Sequence, residues 1–404
     1  MKVESKLNYY ILLLVVFGGF LMFGISENIK GPALPEIQAD FKVNEATLGI
    51  MLALNSLGFL LACSFTSFLI NKIGIKITSV LMFGSMALSG YFIYLSSSFL
   101  WLSGAYFFLN IGNGMLEISL AILAARVFTK NTGTMLNLSH FFYGFGSTIA
   151  PIIAASMMGW HVFNMELGWR GMFLAILIFA LIPLIPALSA NYPKEESQEE
   201  DRISIRQLLR DPIAWLIVAS LSFGVISELG MASWLVNYLV KVYDWTLEDA
   251  SGLLSLFFLL FMLARLLLGP ITDKFGYTIS VITFSALAGV CSILAIITGE
   301  KSVLLFAIAG IGIAPVYPTV MALLAKRYPK GTDTAITFTV TSIGIVGVIG
   351  NLLIGYIIDI VSDLSNSNQL GMQAGFGFIS ASALICSLFT VVIYINLRKN
   401  NQLI

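Results

Sequence analysis

The sequence predicts an all-α integral membrane fold of twelve transmembrane helices, arranged as two pseudo-symmetric halves of six. The first observation is composition: of 404 residues, 58% are hydrophobic and only 11% are charged, so lipid rather than water must face most of the surface. The second is that apolar stretches of about 20 residues, long enough to cross about 30 Å of hydrocarbon, occur twelve times. The third is that similar segments recur about 200 residues apart, which indicates an internal duplication.

The twelve spans follow one another with short connections, except for one. The run from Tyr9 to Ile25 has Lys2 and Lys6 before it, as a signal peptide would. It is too long for the apolar core of a signal peptide and no small-residue cleavage site follows, so we interpret it as the first span, ended by an extended segment at 31–35. The predicted limits of the spans are 8–30, 46–70, 76–97, 100–126, 133–158, 168–190, 213–241, 247–270, 277–298, 302–326, 333–359 and 371–397.

One connection is long and rich in charged side chains. It covers residues 191–212 and divides the chain into a predicted N-terminal half at 1–190 and a C-terminal half at 213–404. Sixteen of the 22 Lys and Arg residues fall on the side of the membrane that holds the linker. Because Lys and Arg are retained on the cytoplasmic side, the linker and both termini are predicted to be cytoplasmic, in a protein of the plasma membrane.

A polar turn after the second span is repeated after the eighth. Ser67-Phe68-Leu69-Ile70-Asn71-Lys72-Ile73-Gly74 corresponds to Gly269-Pro270-Ile271-Thr272-Asp273-Lys274-Phe275-Gly276. Twelve spans with this turn in both halves resemble the major facilitator superfamily over the whole chain. The resemblance implies that the turn ties helix ends together and serves gating and stability rather than substrate binding. The turn residues it singles out are Asn71, Lys72, Gly74, Gly269, Asp273, Lys274 and Gly276.

Several further segments resemble the fucose/glucose:cation symporter branch, that is, the sugar permeases of this superfamily. They are Gly112 to Glu117, Glu228 to Tyr238, Tyr317 to Thr319, Leu34 to Phe41 and Asn137 to Gly146. The resemblance implies secondary active transport of a small polar solute, in particular a monosaccharide, by cation symport and alternating access. It also implies that Glu117 corresponds to the acidic residue that this branch uses for sugar recognition and proton coupling, and it adds Tyr317 to the candidate site.

The chain departs from that branch in the first span. The fucose permease has an aspartate where this chain has Gly31, and the acid here lies one turn earlier, at Glu27. Proton coupling through that aspartate is therefore not transferable, and sodium remains an alternative coupling ion. We expect a proton, because buried acids and a histidine are sufficient for proton symport.

Ionisable side chains inside the predicted spans mark the candidate site. Each costs about 2.5–3.5 kcal/mol at mid-membrane, so it normally has a partner, a water-filled cavity or a task. Glu117 and His140 lie at similar predicted depth and could form a proton-handling pair; a structural hydrogen bond is the alternative for both. Glu27 and Glu228 occupy equivalent places in the two halves and suit a polar ligand or a cation, unless each pairs locally, as Glu27 could with Lys30.

Neutral polar and aromatic side chains extend this site. Asn113 lies one turn from Glu117, and Trp234 and Asn237 follow Glu228 along the seventh span. An aromatic plane against the C–H face of a sugar, with an amide for its hydroxyls, would hold a small polyol. Trp234 is equally expected as an anchor at the membrane interface.

The sequence also argues against other classes of protein. No phosphate-binding glycine loop, zinc-ligand spacing or nucleophile elbow is recognised, so neither an enzyme nor a cofactor or metal is expected. A formal net charge of zero gives no indication of a nucleic-acid partner. The expected partners are a small-molecule substrate and the lipid bilayer, with the protein acting as a monomer. The alternatives are a drug or metabolite:proton antiporter of the same fold, and a non-transporting membrane sensor or lipid-handling protein.

Overall fold

The computed structural model describes residues 6–128, 132–162, 165–192, 204–329 and 331–399, and this part of the chain is mostly helical. A 3₁₀ turn at Gly299–Ser302 joins two of the helices. The helices are α1 (Lys6–Asn28), α2 (Lys30–Phe41), α3 (Glu45–Ile73), α4 (Ile75–Tyr94), α5 (Phe99–Val127), α6 (Thr132–Met158), α7 (Gly168–Ile178), α8 (Leu181–Ser189), α9 (Ile205–Arg210), α10 (Pro212–Tyr243), α11 (Leu247–Leu267), α12 (Gly269–Phe275), α13 (Tyr277–Thr298), α14 (Leu304–Ile313), α15 (Val316–Arg327), α16 (Thr332–Ser365) and α17 (Asn368–Lys399).

Twelve segments of the described chain are helical, long and apolar enough to cross a membrane, in the predicted order. The prediction of a helical integral membrane protein with twelve spans is therefore confirmed. A short hairpin between the fifth and sixth spans was not predicted. Its strands, β1 (His161–Val162) and β2 (Met165–Glu166), pair antiparallel with His161 opposite Glu166.

Three of the spans consist of two helices in succession, and a proline accounts for each break. Proline has no N–H, so the carbonyl four residues before it loses its helical donor, and the ring clashes with that carbonyl. In each pair the first helix ends at this carbonyl-bearing residue or directly before it. The prolines and the corresponding residues are Pro32 and Asn28 between α1 and α2, Pro183 and Phe179 between α7 and α8, and Pro318 and Ala314 between α14 and α15.

The prediction of an extended segment at 31–35 is wrong, because these residues belong to α2. Pro32 lies in the first turn of that helix, where a missing N–H costs no intrahelical hydrogen bond. Pro35 is accommodated inside the helix. The first span consequently continues to Phe41.

The described helices group into two compact units. The first comprises Met1–Asn44, Ile50–Glu196 and Thr246–Ser255, and the second comprises Glu45–Gly49, Ser197–Trp245 and Leu256–Ile404. Within the predicted linker, residues 193–203 lie outside the described part of the chain, and α9 follows them. The predicted halves and the cytoplasmic position of the linker stay predictions.

Glycines allow α1 and α6 of the first unit to cross closely. A Cβ on Gly24 would lie 2.1 Å from the carbonyl oxygen of Tyr143, and one on Gly146 would lie 2.4 Å from that of Leu21. Neither backbone could yield without moving a helix, so both positions require glycine. This crossing fixes the end of α1 that carries Glu27.

The two polar turns have the same backbone conformation. Gly74 follows α3 with φ 85° and ψ 153°, and Gly276 follows α12 with φ 87° and ψ 147°. A side chain at such torsion angles is strained, so the backbone favours glycine at both positions. In the second turn the hydroxyl of Tyr277 donates to Asp273 at 3.3 Å. The gating role of both turns stays a prediction.

Candidate functional site

Glu27 is the centre of a hydrogen-bonded group in the first unit. Its Oε1 accepts from Nδ2 of Asn113 on α5 at 2.6 Å, and its Oε2 lies 3.1 Å from Nζ of Lys30. Asn113 Oδ1 in turn accepts from the Ser26 hydroxyl at 3.0 Å. Both carboxylate oxygens of Glu27 therefore have a hydrogen-bond donor. One donor is Lys30, the local partner that the sequence indicated as the alternative to a ligand or a cation.

The end of α1 holds this group in place. Asn28, next to Glu27, donates from its amide to the Gly24 carbonyl at 2.9 Å and to the Ser147 hydroxyl of α6 at 3.0 Å. The side chain of Asn28 is only 3% exposed, so the bonds are shielded from competing water. With its Nδ2 bonded to the last turn of α1 and to α6, Asn28 stabilises the position at which α1 gives way to α2.

Glu117 and His140 also belong to the first unit. Glu117 lies one turn beyond Asn113 on α5, and Cys63 of α3 contacts the same helix. The Cys63 thiol donates weakly to the Gly114 carbonyl at 3.8 Å. The His140 ring lies 5.4 Å, between centroids, from that of Phe20. The proton-handling pair stays a prediction.

Glu228 of the second unit faces an arginine that was not among the predicted site residues. Nη2 of Arg265, on α11, lies 3.5 Å from Oε1 of Glu228, on α10. Nε of Arg265 donates to the carbonyl oxygen of Ala314 at 3.1 Å, and the guanidinium lies 4.3 Å from the centroid of the Phe261 ring. Three spans thus meet at one guanidinium.

The Ala314 carbonyl is available to Arg265 because of the sequence that follows it. Pro318 occupies the position whose N–H would bond this carbonyl in a continuous helix, so the oxygen needs another donor. Arg265 supplies that donor. The signal in the sequence was therefore a lone cation inside the eighth span combined with a proline four residues after Ala314 in the tenth.

The two equivalent acids differ in how they are held. Glu27 accepts two hydrogen bonds, one from Asn113 and one from the Lys30 ammonium, whereas no hydrogen bond to Glu228 is found among the described residues. The distance of 3.5 Å between Arg265 Nη2 and Glu228 Oε1 exceeds the separation of about 2.7–2.9 Å that is usual for a charge-assisted hydrogen bond. Glu228 can consequently change partner or protonation with little loss of bonding.

The aromatic and amide residues that follow Glu228 are inside the second unit. Trp234 and Asn237 are completely buried, and the Tyr238 ring lies 4.3 Å from that of Phe376. Such burial is not the surface position that a membrane-interface anchor requires. Tyr317, directly after the break between α14 and α15, is half-buried. Contact of these residues with a solute stays a prediction.

No group of three or more His, Cys, Asp and Glu side chains that could hold a metal ion occurs within the described ranges.

These observations define a class of protein: a multi-pass membrane carrier with charged pairs and polar side chains inside its apolar spans. The Major Facilitator Superfamily model matches residues 16–345 and 253–402, and the chain belongs to this family of transporters. The predicted resemblance is thereby confirmed.

Relatives and solved structures agree with this assignment. The chain is 22% identical to the "Protein TsgA homolog" of Buchnera aphidicola subsp. Baizongia pistaciae, over 86% of this chain and 88% of that one. Its fold is similar to that of a bacterial homologue of the human lysosomal transporter Spinster, with a TM-score of 0.77, 14% identity and 96% of both chains covered. It is also similar to the E. coli fucose:proton symporter, with a TM-score of 0.64 and 15% identity over 96% of this chain and 99% of that one.

Proposed function

We propose that the protein moves a small polar solute, a monosaccharide, across the plasma membrane by proton symport and alternating access. The observation that carries the proposal is the partly buried Glu27–Asn113 group, an acid and an amide held together within apolar spans of a transporter fold. Such groups are what a sugar's hydroxyls require in a mostly apolar pocket. The similarity of the fold to that of a fucose:proton symporter supports the same substrate class.

Proton coupling is supported by the loose bonding of Glu228. A carboxylate with no hydrogen bond from the described residues can take up a proton without losing one, and its neighbour Arg265 then gains a free charge. Glu117, one turn from Asn113, is the second acid that we assign to coupling. We further propose that both termini are cytoplasmic, as the distribution of Lys and Arg indicates.

Counterflow uptake in proteoliposomes tests the substrate. Vesicles loaded with an unlabelled hexose or deoxyhexose are diluted into the labelled form of the same sugar, and uptake above that of empty vesicles identifies a substrate. We expect at least one monosaccharide to give saturable counterflow. Failure of every sugar in the panel, with exchange of amphipathic drugs instead, would favour the antiporter alternative.

The coupling ion is tested with the same vesicles and the sugar so identified. We expect accumulation to follow an imposed inward proton gradient and to collapse when a protonophore is added. Accumulation that follows external sodium at constant pH, and that survives the protonophore under a clamped membrane potential, would assign the coupling to sodium.

A further inference from the structure

The guanidinium of Arg265 uses only part of its hydrogen-bonding capacity. It carries five N–H donors, of which the Nε–H is bonded to Ala314. The terminal nitrogens form no hydrogen bond within the part of the chain that the structure describes; Nη2 lies 3.5 Å from the Glu228 carboxylate. The side chain is 24% exposed, so the surrounding helices do not enclose it completely.

The position of Arg265 in the second unit makes these donors unusual. Its contacts with Glu228 on α10 and with Ala314 at the break of the tenth span place the guanidinium among helices rather than toward lipid. Ala314 itself lies near the middle of the span Leu304–Arg327. A charge in such a place is costly, and a partner at 3.5 Å repays little of that cost.

The hydrogen bond to the Ala314 carbonyl at the helix break does not explain why the side chain here is an arginine. One N–H is enough to bond the Ala314 carbonyl, and that bond fixes the plane of the guanidinium. The terminal nitrogens are then oriented as a fork, the geometry that binds a planar carboxylate through two parallel hydrogen bonds. A side chain held in this way loses little entropy when it binds such a group.

We propose that Arg265 binds the carboxylate of the transported solute, which makes acidic monosaccharides such as hexuronates the substrate class. This inference rests on the proposed monosaccharide transport and narrows it. The solute carboxylate takes the guanidinium from Glu228, and the proton that the proposed symport supplies neutralises the displaced acid. One carboxylate matches the single charge of Arg265, whereas a phosphate ester, with about −1.5 to −2, would leave an excess negative charge inside the spans.

The test compares acidic and neutral sugars of the same skeleton. Thermal unfolding of the purified full-length protein in detergent is followed with D-glucuronate against D-glucose and with D-galacturonate against D-galactose, at equal sodium concentration. We expect an acidic sugar to raise the unfolding midpoint saturably, and its neutral counterpart to do so less or not at all. Absence of any stabilisation by the acidic sugars in the wild-type protein would overturn the proposal.

Variants assign the effect to Arg265. Arg265→Gln should lose the stabilisation, and Arg265→Lys, which keeps the charge without the fork, should retain only part of it. Arg398→Gln removes the same charge from an exposed position at the end of α17 and should bind as the wild type does. Stabilisation of Arg265→Gln equal to that of the wild type contradicts the proposal.

Glu228→Gln keeps the test decisive if the Arg265 variants fail to fold. It leaves the guanidinium in place and removes its competing carboxylate, so binding of the hexuronate should strengthen several-fold. Unchanged or weaker binding would count against Arg265 as the site.

Counterflow separates this inference from the proposed function. Exchange of neutral hexoses but not of hexuronates by the wild-type protein would leave monosaccharide transport standing and remove the acidic substrate class. Hexuronate binding through Arg265 without counterflow of any sugar would leave the binding site standing and remove the proposed transport.

Discussion

The carboxylate of Asp359 accepts the backbone N–H of Glu45 at 3.1 Å, although the two residues are 314 positions apart. Its second oxygen accepts the N–H of Ala46 at 3.0 Å. These two N–H groups lie in the first turn of α3 and have no acceptor within that helix. A side chain of α16 thus provides the N-terminal cap of α3, and Lys241 of α10 pairs with the Glu45 side chain. All of these residues belong to the second unit.

Asp359→Ala should destabilise the protein by about 1 kcal/mol, the usual cost of losing an N-terminal cap. The change is measured as the midpoint of thermal unfolding in detergent. Asp363→Ala is the matched control, because Asp363 lies one turn further along α16 and is exposed. Equal midpoints for the two variants would mean that the cap contributes nothing to stability.

Glu117→Gln should abolish accumulation driven by the ion gradient while expression and folding stay close to normal. The amide keeps the shape of the side chain but cannot titrate. Accumulation is measured in proteoliposomes with the sugar that gives counterflow. Glu36→Gln, at an exposed position of α2, controls for the loss of one negative charge. Undiminished accumulation by Glu117→Gln would remove this acid from the mechanism.

Gly74→Ala should cost about 1–3 kcal/mol, since its φ of 85° strains any residue with a Cβ. Nothing lies within 4 Å of the Cβ that would be added, so the loss is one of backbone strain and not of space. Gly84→Ala in α4 also enters open space, at an ordinary helical position, and should be neutral or stabilising by up to about 1 kcal/mol. The midpoints of thermal unfolding of the two variants test this prediction. A similar loss of stability in both would contradict the strain argument.

Asp211 joins the start of α10 to the end of α15. Its carboxylate accepts from the Ile213 N–H at 2.8 Å, from the Tyr328 hydroxyl at 2.6 Å and from Arg327 at 3.1 Å. Burial raises the pKa of Asp211, but the hydrogen bonds from Tyr328, Ile213 and Arg327 outweigh it and hold that pKa below its usual value. Burial and the bond to Asp211 raise the pKa of Tyr328 to about 12.

Tyr328→Phe should lower stability at neutral pH by about 1 kcal/mol, the contribution of one such hydrogen bond at a partly exposed carboxylate. Because the pKa of Asp211 is lowered on folding, the stabilisation is present above the unfolded value of about 3.9 and is lost as pH falls through the folded pKa. The difference in unfolding midpoint between the wild type and Tyr328→Phe should therefore become smaller as the pH of the measurement is lowered from 7 toward 3. Tyr356→Phe, at an exposed tyrosine, should have the same unfolding midpoint as the wild type at every pH. A gap that is constant with pH would contradict this account.

The twelve spans could be predicted because apolar length is a property of consecutive residues. The breaks within spans depend on which carbonyl loses its donor, and the prolines that cause them were visible in the sequence. The prediction of an extended segment at 31–35 was wrong because a proline in the first turn begins a helix as readily as a proline ends one. The hairpin of His161–Val162 and Met165–Glu166 is too short to leave a periodic pattern.

The first-unit group was largely predictable, because Glu27 is conspicuous in an apolar helix, Lys30 lies three residues from it and Asn113 was among the candidate residues. Glu228 is equally conspicuous, but its partner Arg265 comes from a distant part of the chain and no spacing rule connects the two. Arg265 was missed because it lies five residues before the end of the predicted eighth span at 247–270, where a cation normally reaches the membrane surface. Its actual partner, the Ala314 carbonyl, becomes a candidate only when the missing N–H of Pro318 is considered.

The two turns that end in Gly74 and Gly276 share a backbone torsion angle, although several of their side chains differ. One copy has Ser67 and Asn71 where the other has Gly269 and Asp273, yet φ is 85° in the first turn and 87° in the second. Divergence after the duplication has thus been freer in residue identity than in backbone geometry. A self-comparison of φ and ψ along a chain should consequently detect ancient duplications in other carriers whose two copies no longer align letter by letter.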